Sequence, residues 1–297
     1  MIKFGWGSVL GMALLVVSAQ AAADPGDSIP GGKSRIAKFD GNNVHYLTVG
    51  KGKEIVVFVH GWAGNSGFWR EQAPVLADKA RLILIDLPGH GRSDKPHTDY
   101  TLDYFARGVL AVMRHARAEK ATLVGHSMGV PVICRVYAHA PEKVAGLVAV
   151  DGFLRRPELK PEEVEKFVAP FRAPEYRAHV TNFIHSMFTR PDTRALRDRV
   201  LAEVLATPHH VMASAMQEMF NARQPDWTLH KVGVPVLAIN APNPRWTSDY
   251  EAYVRGLSRK TDYRVIEGAG HCLMLEKPGD FNEALLSMLR KFGLISE

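Results

Sequence analysis

The pentapeptide Gly125-His126-Ser127-Met128-Gly129 carries the strongest chemical signal in the chain. It fits G-x-S-x-G, a serine set in a sharp turn from strand to helix. Such a turn strains the backbone at the serine and crowds the residues two before and two after it. Those positions need to be nearly free of side chain, and Gly125 and Gly129 meet the need. A helix opening at Met128 aims its positive end at the serine. Pro131 falls in its first turn, where a missing N–H costs little. A serine hydroxyl is a weak nucleophile and needs a base. His271, in Glu267-Gly268-Ala269-Gly270-His271, is the candidate, because it follows the last apolar run and precedes the C-terminal helical pattern. A loop at a strand's C-terminal end faces the ligand crevice of an open α/β sheet. Attack on an acyl carbonyl also needs backbone N–H donors for the oxyanion. Met128, the residue after the serine, is the first expected donor. The second is Trp62, in the loop His60-Gly61-Trp62-Ala63-Gly64-Asn65. His126 is expected to shape the turn. No H-E-x-x-H occurs, and no metal-ligand spacing is evident, so no metal or other cofactor is implied.

These residues need elements to position them. Short continuous apolar runs at 55–60, 82–86, 121–126, 144–151, 234–240 and 262–267 have the pattern of buried parallel strands. Two further strands, at 34–39 and 44–49, are joined by a turn at Asp40-Gly41-Asn42-Asn43. Helical patterns lie between the strands at 68–79, 102–116, 128–140, 247–258 and 280–292. The last places Phe281, Ala284, Leu285, Met288 and Leu289 on one stripe. This alternation predicts an α/β fold, a mostly parallel central sheet with helices on both faces. Residues 153–230 break the rhythm. They hold no convincing strand and read as a helical cap inserted into a core of residues 24–152 and 231–297.

Composition narrows the class. Of 297 residues, 46% are hydrophobic and 23% charged, which is the balance of a globular protein. The net charge of +6 comes from scattered Lys and Arg, without the clustered patch a nucleic-acid partner needs. Two cysteines exclude a disulfide scaffold and a four-cysteine zinc site. Cys134 and Cys272 could pair in an oxidising compartment. Residues 1–23 read as a secretory signal peptide, with Lys3 before a short apolar run and small residues at Ala19-Gln20-Ala21 and Ala21-Ala22-Ala23. The run is too short for a comfortable membrane span. The expected location is outside the cytoplasm, most simply a bacterial periplasm, with no stable membrane insertion after cleavage.

The motifs together resemble an α/β-hydrolase of the serine type. They are His60-Gly61-Trp62, Asp86-Leu87-Pro88-Gly89-His90-Gly91-Arg92-Ser93-Asp94, the turn at 125–129, and Gly270-His271, in that order. In that family the Asp86–Asp94 stretch is a tight loop, mostly structural. The resemblance implies a triad in the order nucleophile, acid, base. The acid usually follows the strand after the cap, but Val236-Leu237-Ala238-Ile239-Asn240-Ala241-Pro242-Asn243-Pro244 offers none before Asp249. Some relatives take it from the end of the preceding strand, where Asp151 stands before Gly152. Asp151 is therefore favoured over Asp249, with Asn243 or no acid as the remaining options. The implied activity is hydrolysis of a carboxylic ester or related acyl bond in a small molecule. Phe153, Phe183, Met187, Phe188, Met212, Met216 and Phe220 either line its pocket or form the cap's own core. Dehalogenases and epoxide hydrolases are set aside, because they would carry Asp in place of Ser127. The rival readings are a ligand-binding protein on the same scaffold, or a C–C hydrolase, lactonase or perhydrolase with the same triad.

Overall fold

Strands β1 (Lys33–Phe39) and β2 (Asn42–Val49) pair antiparallel, with Phe39 opposite Asn42. Only Asp40 and Gly41 are left to turn, both at positive φ, 51° and 77°. Such two-residue turns match the right-handed twist of a hairpin. The turn is thus tighter than the four residues expected from sequence. The computed structural model describes residues 29–221 and 223–296. The signal read over residues 1–23 lies outside them.

Strands β3 (Ile55–Val59) and β4 (Arg81–Ile85) follow, then β5 (Ala121–His126), β6 (Val144–Val150), β7 (Val236–Asn240) and β8 (Thr261–Val265). The sheet runs β1-β2-β4-β3-β5-β6-β7-β8. From β4 to β8 every pairing is parallel, and β2 joins β4 antiparallel. All residues of β5 and β7 are buried, which is why their sequences are mostly apolar on both faces, with Thr122, His126 and Asn240 the polar members.

After β3 the chain makes a 3-10 turn at Ser66–Trp69 and a short helix α1 (Ala73–Leu76). A single helix was expected over 68–79. Pro74 has no N–H to continue it, but is tolerated at the start of a new helix, where it stands. Helix α2 (Leu102–His115) is capped by Thr101, whose hydroxyl accepts from Tyr104 N at 3.0 Å. Helix α3 (Gly129–His139) leaves β5 directly. Between β6 and β7 come α4 (Pro161–Arg172), α5 (Tyr176–Ser186), α6 (Arg194–Leu205) and α7 (His209–Phe220), with no strand among the described residues there. Helix α8 (Ser248–Gly256) links β7 to β8, and α9 (Leu273–Glu276) and α10 (Pro278–Lys291) end the chain. The five expected apolar residues of α10 are all buried.

The loop after β4 is a buried polar knot. Asp86 Oδ1 accepts from Ser66 N at 2.6 Å, and Oδ2 accepts from Arg92 N at 3.0 Å and His45 Nδ1 at 2.8 Å. Burial pushes its pKa up, but the hydrogen bonds from His45 and the two backbone N–H groups outweigh this and hold it down to about 2.

Candidate active site

The turn between β5 and α3 leaves almost no room. A Cβ at Gly125 would lie 2.4 Å from the Gly129 carbonyl oxygen, and one at Gly129 2.5 Å from that of Val59. Any larger residue would have to push the turn open. Ser127 takes the strain, at φ 52°. For a non-glycine residue that conformation costs about 1–2 kcal/mol. Neighbouring structure enforces it, since Ser127 N donates to Val150 O at 3.0 Å and Val130 N to Ser127 O at 2.9 Å. Ser127 remains partly exposed, whereas His126 and Met128 on either side are buried.

His271 lies on the loop after β8, pinned at three backbone points. Its N–H donates to Met187 O at 2.9 Å, just past α5. Its carbonyl accepts from His126 Nε2 at 2.9 Å. The preceding Gly270 N donates to Glu276 Oε1 at 3.1 Å. The bond from His126 ties this loop to the residue beside Ser127, and the two imidazole rings lie 4.8 Å apart. Burial and the neighbouring His271 push the His126 pKa down to about 3, so it stays neutral and donates from Nε2.

Asp151 stands at the end of β6 with φ 43°. Its Oδ2 accepts from His271 Nδ1 at 2.6 Å. Its Oδ1 accepts from Ala241 N at 2.9 Å and from Trp246 Nε1 at 3.2 Å. The carboxylate is 3% exposed, so these donors take the place of water. A carboxylate can only accept, so His271 carries its proton on Nδ1 and keeps Nε2 as the basic nitrogen. Among the described residues no hydrogen bond joins Ser127 Oγ to His271. Such bonds are often loose without substrate. The two alternative residues lie elsewhere. Asp249 is 77% exposed and pairs with Arg155 at 2.7 Å. Asn243 Oδ1 accepts from Arg245 N at 3.0 Å within its own turn.

The loop after β3 presses on the strand-to-helix turn, so that a Cβ at Gly61 would lie 3.1 Å from Ser127 Cβ. Neither Trp62 N–H nor Met128 N–H finds an acceptor among the described residues. Orphaned backbone donors in a buried setting are uncommon, and two beside one serine suit a developing oxyanion. His60 shapes this loop. Its Nδ1 donates to Gly61 O at 2.7 Å and its Nε2 accepts from Leu87 N at 3.0 Å. Burial lowers its pKa, consistent with the neutral form both bonds require.

The helices between β6 and β7 dock on this loop. Trp62 Nε1 donates to Met212 O at 2.9 Å, and Thr207 Oγ1 to Ala63 O at 3.2 Å. The Trp62 ring meets Phe171 and Phe183 edge-on at 5.2 and 6.0 Å. Met212 and Met216 are fully packed, while Phe220 contacts Phe167. Phe153 packs on Trp246 at 4.7 Å, and Phe188 is partly buried beside Met187. Cys134 and Cys272 are free and buried, and burial raises both thiols. No group of three His, Cys, Asp or Glu among the described residues is placed to hold a metal.

Residues 54–278 match the family described as alpha/beta hydrolase fold. The chain belongs to that family. A protein from Edwardsiella ictaluri, named pimeloyl-[acyl-carrier protein] methyl ester esterase, is 29% identical over 80% of this chain and 94% of its own. The dihydrolipoyllysine-residue acetyltransferase component of the acetoin cleaving system of Cupriavidus necator is 27% identical over 89% of this chain and 71% of its own. A thermophilic esterase from Thermogutta terrifontis superposes with TM-score 0.76, covering 88% of this chain and 99% of its own at 22% identity. At that identity the likeness is one of fold.

Sequence reasoning gave Trp246 and Glu276 no role and His126 only a share in shaping the turn. Trp246 reaches Asp151 across 95 residues and His126 reaches His271 across 145. Among local signals, only the place of His126 inside G-x-S-x-G pointed to the site.

Proposed function

We propose that this chain is a serine hydrolase cleaving a carboxylic ester of modest size. Ser127 Oγ attacks the acyl carbonyl while His271 Nε2 takes its proton. The oxyanion gathers the N–H groups of Met128 and Trp62. Collapse expels the alkoxide, which His271 reprotonates. Water, deprotonated by the same nitrogen, then resolves the acyl-enzyme and frees Ser127. Asp151 holds the imidazole in the required tautomer and balances its charge during transfer. The observation that carries the reading is the 2.6 Å bond from His271 Nδ1 to Asp151, which leaves Nε2 as the basic nitrogen of a loop tied to the residue beside Ser127.

Residues 153–230 act as a cap on this reading. Their contacts with Trp62, Ala63 and His271 support that role. Export rests on the N-terminal sequence alone, and a periplasmic pool beginning at Ala22 or Asp24 would bear it out. The functional test is a series of p-nitrophenyl esters of rising acyl length, with fluorophosphonate labelling. Hydrolysis should be measurable for short or medium chains. Ser127→Ala should lower it by at least about a thousandfold and abolish labelling, with the fold intact. A Ser127→Ala variant keeping a tenth of wild-type activity would end the assignment.

A further inference from the structure

We propose that Trp246 is a positioning residue, whose indole N–H sets both the orientation of Asp151 and its pull on His271. This inference rests on the serine-hydrolase reading above. The stretch after β7, where an acid was sought from sequence, supplies donors to the acid instead. Among the described residues Asp151 Oδ1 takes two N–H groups, at 2.9 Å from Ala241 and 3.2 Å from Trp246, while Oδ2 takes only His271 Nδ1 at 2.6 Å. Two donors on one oxygen fix the carboxylate plane, so the other oxygen faces the imidazole. They also draw off negative charge. That weakens the hold on the imidazolium and keeps the base ready to release its proton.

The indole is itself held in place. Phe153 and Tyr250 pack against it at 4.7 and 5.1 Å. Trp246 N donates to Asn243 O at 2.9 Å, and Asn243 Oδ1 closes the same turn through Arg245 N at 3.0 Å. The Ala241 donor is backbone, so only the Trp246 donor can be changed through a side chain.

Other titratable groups face this pair. His126, pushed down to about 3, is neutral at neutral pH. Burial raises Cys272, next to His271, and Tyr263, from β8, so both stay protonated there. Glu276 from α9 is also raised by burial, with Arg190 and His271 acting the other way. Its side chain holds Gly270 N, next to His271, so Glu276→Gln serves as the control background.

The test compares Trp246→Phe with Trp246→β-(3-benzothienyl)alanine, which replaces the N–H by sulfur in the same ring shape. The first readout is the NMR titration of the His271 ring, which needs no turnover. The second is the pH profile of kcat and KM for a p-nitrophenyl ester. Both variants should raise the His271 pKa by about half a unit, roughly threefold in proton affinity, and move the acid limb of kcat/KM with it. The limb should shift equally in the Glu276→Gln background. The expected fall in kcat is about three- to tenfold, with KM changed less than about twofold. A benzothienylalanine variant that titrates and turns over like wild type would overturn the proposal, since packing alone would then explain Trp246. If wild type hydrolyses no ester, the serine-hydrolase reading fails, and the titration still decides the effect of Trp246 on His271.

Discussion

Among the described residues two Ser–His–Asp constellations form around one sheet, and one of them has the form of an active site. In the first, Ser34 Oγ and His45 Nε2 share a hydrogen bond of 2.9 Å, and His45 Nδ1 bonds Asp86 Oδ2 at 2.8 Å. In the second, His271 bonds Asp151 at 2.6 Å and is tied to His126, next to Ser127, and among the described residues no bond joins serine and base. Hydrogen-bond connectivity alone would favour the first. Yet Ser34 lies within strand β1, paired with Leu47, on regular backbone. Ser127 stands at φ 52° on a turn, and the N–H groups of Met128 and Trp62 have no acceptor among the described residues. His45 is 1% exposed on its side chain and Asp86 2%, whereas His271 is 23% exposed and can meet a substrate. The difference teaches that a triad is defined by what surrounds the serine. On the proposed reading, a strained, partly exposed serine and unclaimed backbone N–H groups distinguish a reacting site from a buried network that pins loops.

The sharpest way to break this comparison is to change three acids in turn, one from each constellation and the exposed Asp249. Asp151→Asn keeps the shape but favours the wrong His271 tautomer. It should lower kcat by roughly 10²–10⁴, about 3–5 kcal/mol of barrier, with KM nearly unchanged. Asp249→Asn, at an exposed ion pair, should change kcat by less than about tenfold. Asp86→Asn should leave the kcat of the folded protein near wild type but lower stability by about 2–4 kcal/mol, because a buried anion with three donors is lost. Steady-state kinetics and urea unfolding on the same three variants separate these outcomes. Should Asp86→Asn lose kcat at full stability, the assignment of the two networks is reversed.

How far the sequence revealed this division depended on the range of the contacts. The β5–turn–α3 unit was legible because its determinants, two glycines and a serine between an apolar run and a helical one, are adjacent. The parallel strands were legible for the same reason. The α1 region was not, because Pro74 splits a pattern whose apolar spacing alone reads as one helix. Order along the chain favoured Asp151 over Asp249 and left Asn243 or no acid open. The structure brings Asp151 to His271 and leaves Asp249 at the surface with Arg155. Nothing local announces that Ala241 and Trp246 would converge on Asp151, since that meeting is made by neighbouring strands β6 and β7.

Acid should unfold the protein through its buried histidines before it reaches Asp86. Burial pushes His90 and His126 down to about 3. For a base whose folded pKa lies below its unfolded value, stability is complete above the unfolded pKa, near 6.5. It is then lost as pH falls toward 3, because the unfolded chain takes protons the native state refuses. Each such proton contributes a slope of up to about 1.4 kcal/mol per pH unit. Asp86, held down to about 2, adds its own loss only below about 4. Urea midpoints measured from pH 7 to 4 should therefore fall steadily in wild type. The same slope should persist in Asp86→Asn, which should lack only the added loss that Asp86 gives wild type below about pH 4. A wild-type midpoint constant from pH 7 to 4 would show that these histidines are not held neutral.

The smallest expected effect comes from Ser34→Ala, and it tests the comparison where the two constellations look most alike. If connectivity made a nucleophile, Ser34 would share in labelling and turnover. Its backbone is regular strand, and its hydroxyl is exposed with His45 buried behind it. Removing the hydroxyl takes one partner from His45 Nε2 and leaves the bond from His45 to Asp86 in place. A single neutral hydrogen bond near the surface contributes about 0.5–1.5 kcal/mol, so the urea midpoint should drop slightly. Values of kcat and KM should match wild type within about twofold. Fluorophosphonate labelling followed by peptide mapping should find the adduct on Ser127 in both proteins. An adduct on Ser34, or a loss of turnover in Ser34→Ala that outruns its loss of stability, would mean that strained geometry and free donors are not what set Ser127 apart.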